Sequence, residues 1–95
     1  MAAYVIADVD IADPEGYKEY TAHTPASIAG HGGRFIVRGG PCEVLEGEWE
    51  PGRVVVIEFP TMADALGWYR SEDYQELAKI RQAASTAKIL AVEGV

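Results

Sequence analysis

Three short segments are apolar at both alternating positions: "AYVIADV" from Ala3, "RFIVR" from Arg34 and "RVVVIEFP" from Arg53. A strand that is apolar on one parity buries one face. A strand apolar on both needs cover on both. With only 95 residues and two intervening helical stretches, helices can cover one side of such a sheet. The other side then needs a second copy of the chain, because a bare apolar sheet face is unfavourable in water. Residues 1–95 read as a single domain, and a chain of this size is only marginally stable by itself. A homodimer whose sheets face each other is therefore the expectation.

The elements between these strands have clear start signals. Asp13 is placed to cap a helix with Pro14 at its first position and Glu15 in its first turn, where a carboxylate complements the helix dipole. Tyr17, Tyr20, Thr24 and Ile28 recur at helical spacing as its buried stripe, and Pro25 within it predicts a kink. One of Gly30, Gly32 and Gly33 should end this helix in the left-handed conformation. Gly39-Gly40-Pro41 should bulge or bend the second strand, with "CEVLEG" resuming it before a turn at Pro51-Gly52. Thr61 and Ser71 cap two further helical segments. The first should bury Met62, Leu66 and Tyr69, and the second Tyr74, Leu77 and Ile80. "AKILAV" is the last strand. The order is βαββαβ, an α+β ferredoxin-like sandwich with an antiparallel sheet.

Composition removes several classes of function. Fifteen acidic against eight basic residues, a net charge of −7, disfavour nucleic acid or an anionic membrane as partner. No apolar run is long enough for a membrane span, and "MAAYVIADVD" lacks the basic start of a secretory signal. The single cysteine, Cys42, fits a small apolar residue in a reducing cytoplasm.

The glycines of "HGGRFIVRGG" follow a helix and precede a strand. A phosphate-binding loop has the opposite polarity, so nucleotide binding is not expected. His23, His31 and Cys42 lack metal-ligand spacing, and no metal or organic cofactor is expected. Strand alternation puts Asp8 and Glu58 on the face turned away from the helices. With the first and third strands taken as parallel neighbours, both carboxylates fall at similar height. Two such groups need a cation or a raised pKa, and Arg38 is the candidate cation. Counting back from the 48–52 turn places Cys42 rather than Arg38 opposite Glu58, so the contact requires a long reach, a dimer neighbour, or a bulge that turns Arg38 over. A structural ion pair and a proton-transferring carboxylate are the two readings of Glu58, Asp8 and Arg38. Trp68, Tyr69, Tyr74, Tyr17 and Tyr20 either pack the core or line a mixed polar and apolar pocket. His31 near a helix end is either a capping residue or a substrate contact.

"HGGRFIVRGG", "VIEFP" and "WYRSEDYQ", in this order, resemble the family known as domain of unknown function DUF1330, within the dimeric α/β-barrel superfamily. The likeness spans nearly the whole chain and implies a two-sheet dimer. The superfamily includes cofactor-free antibiotic-biosynthesis monooxygenases, muconolactone isomerases and haem-dependent peroxidases, so the resemblance implies no one reaction. The polar positions that match are His31, Arg38, Glu58, Tyr69, Ser71 and Tyr74. The expected function is a small dimeric, cofactor-independent enzyme (isomerase, cyclase or monooxygenase-like) acting on a small organic molecule, or else a non-catalytic binding or structural dimer.

Overall fold

A computed structural model describes residues 1–95. The elements are β1 (Ala3–Ile11), α1 (Pro14–Gly30), β2 (Arg34–Arg38), β3 (Arg53–Phe59), α2 (Met62–Arg70), α3 (Glu72–Ala84) and β4 (Ser85–Glu93). The four strands form one antiparallel sheet in the order β2-β3-β1-β4, the ferredoxin-like βαββαβ arrangement. Ala3, Val5, Ala7 and Val9 of β1, and Val55, Ile57 and Phe59 of β3, are buried together with helix residues Tyr17, Ile28, Trp68 and Tyr74. The core thus lies between one face of the sheet and the helices.

The capping residues act as the sequence indicates. Asp13 accepts from the Gly16 amide at 3.2 Å, Thr61 from Asp64 at 3.1 Å and Ser71 from Tyr74 at 3.3 Å. Gly32, with φ +79°, ends α1: its amide donates to Ala29 O and the Gly33 amide to Ile28 O. This paired closure needs the left-handed conformation that glycine adopts without strain. α1 runs on through Pro25.

Three details depart from the sequence expectations. First, β1 and β3 are antiparallel. The α1 crossover makes β1 and β2 co-directional, and β3, returning in hairpin sense from β2, is inserted between them and runs against both. Second, "CEVLEG" does not resume a strand: residues 41–52 are irregular and almost wholly exposed. Arg38 already lies opposite Val55, and β3 begins at Arg53. Only Val54 and Arg53 remain beyond that pair; the Gly39 amide still bonds to Val54 O at 2.8 Å, and its φ of +71° then turns the chain away before residue 42. Third, the buried stripes of the later helices are rotated from those expected. α2 buries Ala65 and Trp68, and α3 buries Tyr74, Ala78, Arg81 and Ala84. Of the residues expected to be buried, Tyr74 is, whereas Met62, Leu66, Tyr69, Leu77 and Ile80 are only partly so. Ala65 and Ala78 are wholly buried, at 0% exposure.

The sheet face away from the helices carries a row that is apolar across all four strands: Val37, Val56, Ile6 and Leu90 lie side by side. Val37, Ile6 and Leu90 are 40%, 37% and 55% exposed. Charged residues flank this row: Arg34 and Glu58 on one side, Asp8 and Lys88 on the other.

Candidate functional site

A cavity opens between the sheet and the helices. β1 and β3 supply an apolar floor that includes Val5, Val55 and Ile57; α1 contributes Tyr17, Tyr20 and Thr24; α2 contributes Trp68; α3 contributes Tyr74 and Arg81. Phe35 and Arg38 of β2, with Arg53 of β3, complete the wall. The space left for the centres of water-sized atoms is about 40 Å³, room for roughly three water molecules.

β2 reaches this cavity through an irregularity in its pairing. The register shifts between Phe35 and Val37, so that Phe35 faces Ile57 and Arg38 faces Val55. Strict alternation would send residues three apart to opposite faces. The bulge instead places both on the helix side, and the Arg38 guanidinium lies 4.4 Å from the Phe35 ring centroid. Such stacking suits a planar cation. Arg53, on the same face, has its guanidinium 5.9 Å from the Tyr17 ring centroid.

The hydroxyls of Tyr20 and Tyr74 share a hydrogen bond of 2.7 Å in the buried interior. Tyr74 also packs 4.1 Å from Trp68, centroid to centroid, and edge-on to Tyr20. Burial, and next the neighbouring Tyr74, push the Tyr20 hydroxyl far above the ordinary phenol range. Burial likewise raises Tyr17, with the charges of Arg53 and Arg81 pulling the other way. Both phenols stay protonated at neutral pH, so each keeps a hydroxyl proton available to donate.

The predicted site residues do not all meet here. Tyr17, Trp68, Tyr74 and Arg38 line the cavity. Tyr69 is half-buried beside Ile89 in a separate hollow. His31 caps the end of α1, its Nδ1 3.0 Å from Ser27 O. Ser27 in turn donates to Asp73 at 2.8 Å, tying the end of α1 to the start of α3. Hydrogen bonds from Ser71 and then Ser27 hold the Asp73 carboxyl below its ordinary pKa.

The expected grouping of Asp8, Glu58 and Arg38 is not formed. Antiparallel pairing sets Asp8 opposite Val54 and Glu58 opposite Tyr4, four residues apart along the strand and hence about 13 Å. Both carboxylates lie on the face away from the helices, whereas the bulge turns Arg38 to the helix face. Glu58 pairs instead with Arg34 at 2.8 Å, which occupies the position opposite it that the count from the turn assigned to Cys42. Asp8 accepts from the Trp49 indole at 2.8 Å and from the Gly52 amide at 2.8 Å. These two bonds, the indole first, depress its pKa.

Sequence reasoning missed Arg53 and Arg81. Arg81 lies at helical spacing from Tyr74, Ala78 and Ala84 on the buried side of α3, and that spacing is the signal that could have found it; the stripe expected from the sequence was Tyr74, Leu77 and Ile80. No three of the His, Cys, Asp and Glu side chains converge as a metal-holding group.

Solved structures share this architecture. A protein of unknown function from Rhodopseudomonas palustris superimposes with a TM-score of 0.77 at 21% identity, over 99% of this chain and 82% of that one. SnoaB, a cofactor-independent oxygenase from Streptomyces nogalater, gives 0.67 at 14% identity, over 99% and 93%. An antibiotic biosynthesis monooxygenase gives 0.54 at 13% identity, over 100% and 99%. At these identities the likeness is one of fold. No curated protein matches the chain significantly. The family model for the domain of unknown function DUF1330 matches residues 2–95, and with the fold and three ordered motifs in agreement, the chain belongs to that family.

Proposed function

We propose that the chain is a small homodimeric protein that holds a small organic molecule between its sheet and helices and converts it without a metal or organic cofactor. The reaction class is that of an isomerase, cyclase or monooxygenase-like enzyme. The observation that carries this reading is the convergence of the Tyr20–Tyr74 hydroxyl pair and arginine side chains on an otherwise apolar cavity. Protonated phenols and guanidiniums in a water-poor site stabilise negative charge that develops on a substrate oxygen, as an enolate or a tetrahedral alkoxide requires. The fold shared with a cofactor-independent oxygenase is consistent with this chemistry. The exposed apolar row on the other sheet face supports the dimer.

Glu58 and Asp8 have no part in the cavity, and its lining contains no carboxylate or imidazole. That favours a second reading, in which the pocket binds its ligand without converting it. The experiment is a screen of small aromatic and polyketide-like compounds followed by NMR on the 15N-labelled protein, in air and without added metal or cofactor. A bound compound should shift the indole N–H of Trp68 and leave that of Trp49, assigned through Trp49→Phe, in place. A compound that is consumed, and consumed more slowly by Tyr20→Phe, supports catalysis. Bound compounds that persist unchanged leave the binding reading, and a screen in which the Trp68 signal never moves overturns both.

A further inference from the structure

The chain is acidic, with fifteen Asp and Glu against eight Lys and Arg. Its cavity is the reverse: Arg38, Arg53 and Arg81 line it, and no acidic side chain does. Arg81 is only 5% exposed. The chain's three ion pairs engage Lys18, Arg34 and Lys79, none of them a cavity residue. The buried Nε atoms of Arg81 and Arg53 have no hydrogen-bond partner.

A guanidinium in this position has no internal remedy. It cannot lose its proton at any pH the fold tolerates, and a buried charge without a partner is costly. The Trp68 indole N–H is likewise buried and unpartnered. The cavity therefore holds donors in excess: two guanidiniums with free N–H groups, an indole N–H and the phenol pair. It has no negatively charged acceptor of its own.

We propose that this cavity is a binding site for a compact organic carboxylate with an apolar or aromatic body, its oxygens seated against the Arg81 guanidinium. The proposal rests on the reading of the cavity as a small-molecule site and adds the class of molecule. The planar guanidinium fork matches a carboxylate in two parallel hydrogen bonds. Arg53 adds a second charge, and Arg38, exposed and stacked on Phe35 at the mouth, attracts the anion to the entrance. Eleven of the sixteen lining residues are hydrophobic, which favours an apolar body over a small hydrated ion. The enclosed space suffices for the carboxylate head, and the body extends toward the mouth formed by Phe35 and Arg38.

Calorimetric titration of the full chain with benzoate, its neutral analogue benzamide, acetate and inorganic phosphate tests this. Benzoate should bind at least about tenfold more tightly than benzamide, as loss of a charge-assisted hydrogen bond implies. Acetate and phosphate should be weaker than benzoate by a similar factor. Arg81→Met should lose benzoate affinity while melting no lower than the unliganded wild type, because it removes an unpaired charge. If Arg81→Met does not fold, Arg53→Gln takes its place in the titration, and the wild-type comparison of benzoate with benzamide stands without either variant. Equal affinity for benzoate and benzamide overturns the anion assignment while leaving the small-molecule reading intact. Acetate or phosphate binding as tightly as benzoate overturns the apolar body. Binding of neither benzoate nor benzamide overturns the proposal, and the screen on Trp68 then decides the broader reading separately. Undiminished benzoate affinity in Arg81→Met overturns the placement.

Discussion

The two faces of the sheet have opposite deficits. On the helix face the apolar core is covered, from Ala3 and Phe59 at 0% exposure to Ala7 and Val55 at 8%, while Arg53 and Arg81 leave buried N–H groups unpartnered. On the other face Asp8 and Glu58 are satisfied: Asp8 by Trp49 and Gly52, Glu58 by Arg34. There it is the apolar row that lies open. One face lacks a counter-charge and the other lacks a cover, and each deficit is specific enough to suggest what fills it. A small anion suits the first, and a second apolar sheet suits the second.

The largest effect expected from this contrast separates the two tryptophans. Trp68 is buried among Phe59, Tyr69 and Tyr74, so Trp68→Ala should cost about 3–5 kcal/mol. Trp49 is 59% exposed, so Trp49→Ala should cost about 1 kcal/mol or less. Denaturant unfolding of both variants measures the difference, and similar losses would contradict the division into a closed face and an open one.

Next in size is the cover of the open face. Light scattering at micromolar concentration should give wild-type protein a mass twice the 10.3 kDa of the chain. Ile6 stands between Val56 and Leu90 in the apolar row. Ile6→Asp would bury an unpaired carboxylate in the dimer and should weaken it by about 3 kcal/mol or more, bringing the mass down toward that of one chain. Because Ile6 is 37% exposed in the single chain, the fold itself should survive. A wild-type mass of one chain would leave the apolar row without this explanation.

How far these faces can be read from sequence depends on whether the determining contacts are local. Caps are local, and Asp13, Thr61 and Ser71 were legible because each acts within three residues of itself. The apolar parities of β1 and β3 follow from period-two alternation alone, so the helix-facing set was legible as well. The direction of β3 relative to β1 depends on the whole path through α1 and β2. Local reasoning assigned it wrongly, and the supposed meeting of Asp8 with Glu58 failed with it. Arg38 illustrates a finer limit: one bulged residue upstream reverses the face of everything after it, and "RFIVR" contains no glycine or proline to announce that bulge. Arg81 was missed because its burial is a property of the cavity. Its spacing from Tyr74 and Ala78 fits a buried stripe, but spacing alone does not say that an arginine turns inward.

The smallest effect concerns the bond that ties Trp49 to the open face. The indole N–H, then the Gly52 amide, lower the Asp8 carboxyl from its ordinary 3.8, with Lys88 adding a smaller electrostatic pull and desolvation opposing. A depressed folded pKa means that the unfolded chain takes up this proton first as the pH falls. The contribution of Asp8 is therefore complete above its unfolded value and is lost as the pH drops through the folded one. Between about pH 5 and pH 2, wild-type melting temperature should fall more steeply than that of Asp8→Asn, whose side chain has no such proton to gain. Over the same range the Trp49 indole signal should move in the wild type as its acceptor is neutralised, while that of Trp68, whose N–H has no partner, should not follow it. Superimposable acid profiles for wild type and Asp8→Asn would show that the bond holds the 39–52 segment no better charged than neutral. The order of the open face would then have to come from its apolar row rather than from its acids.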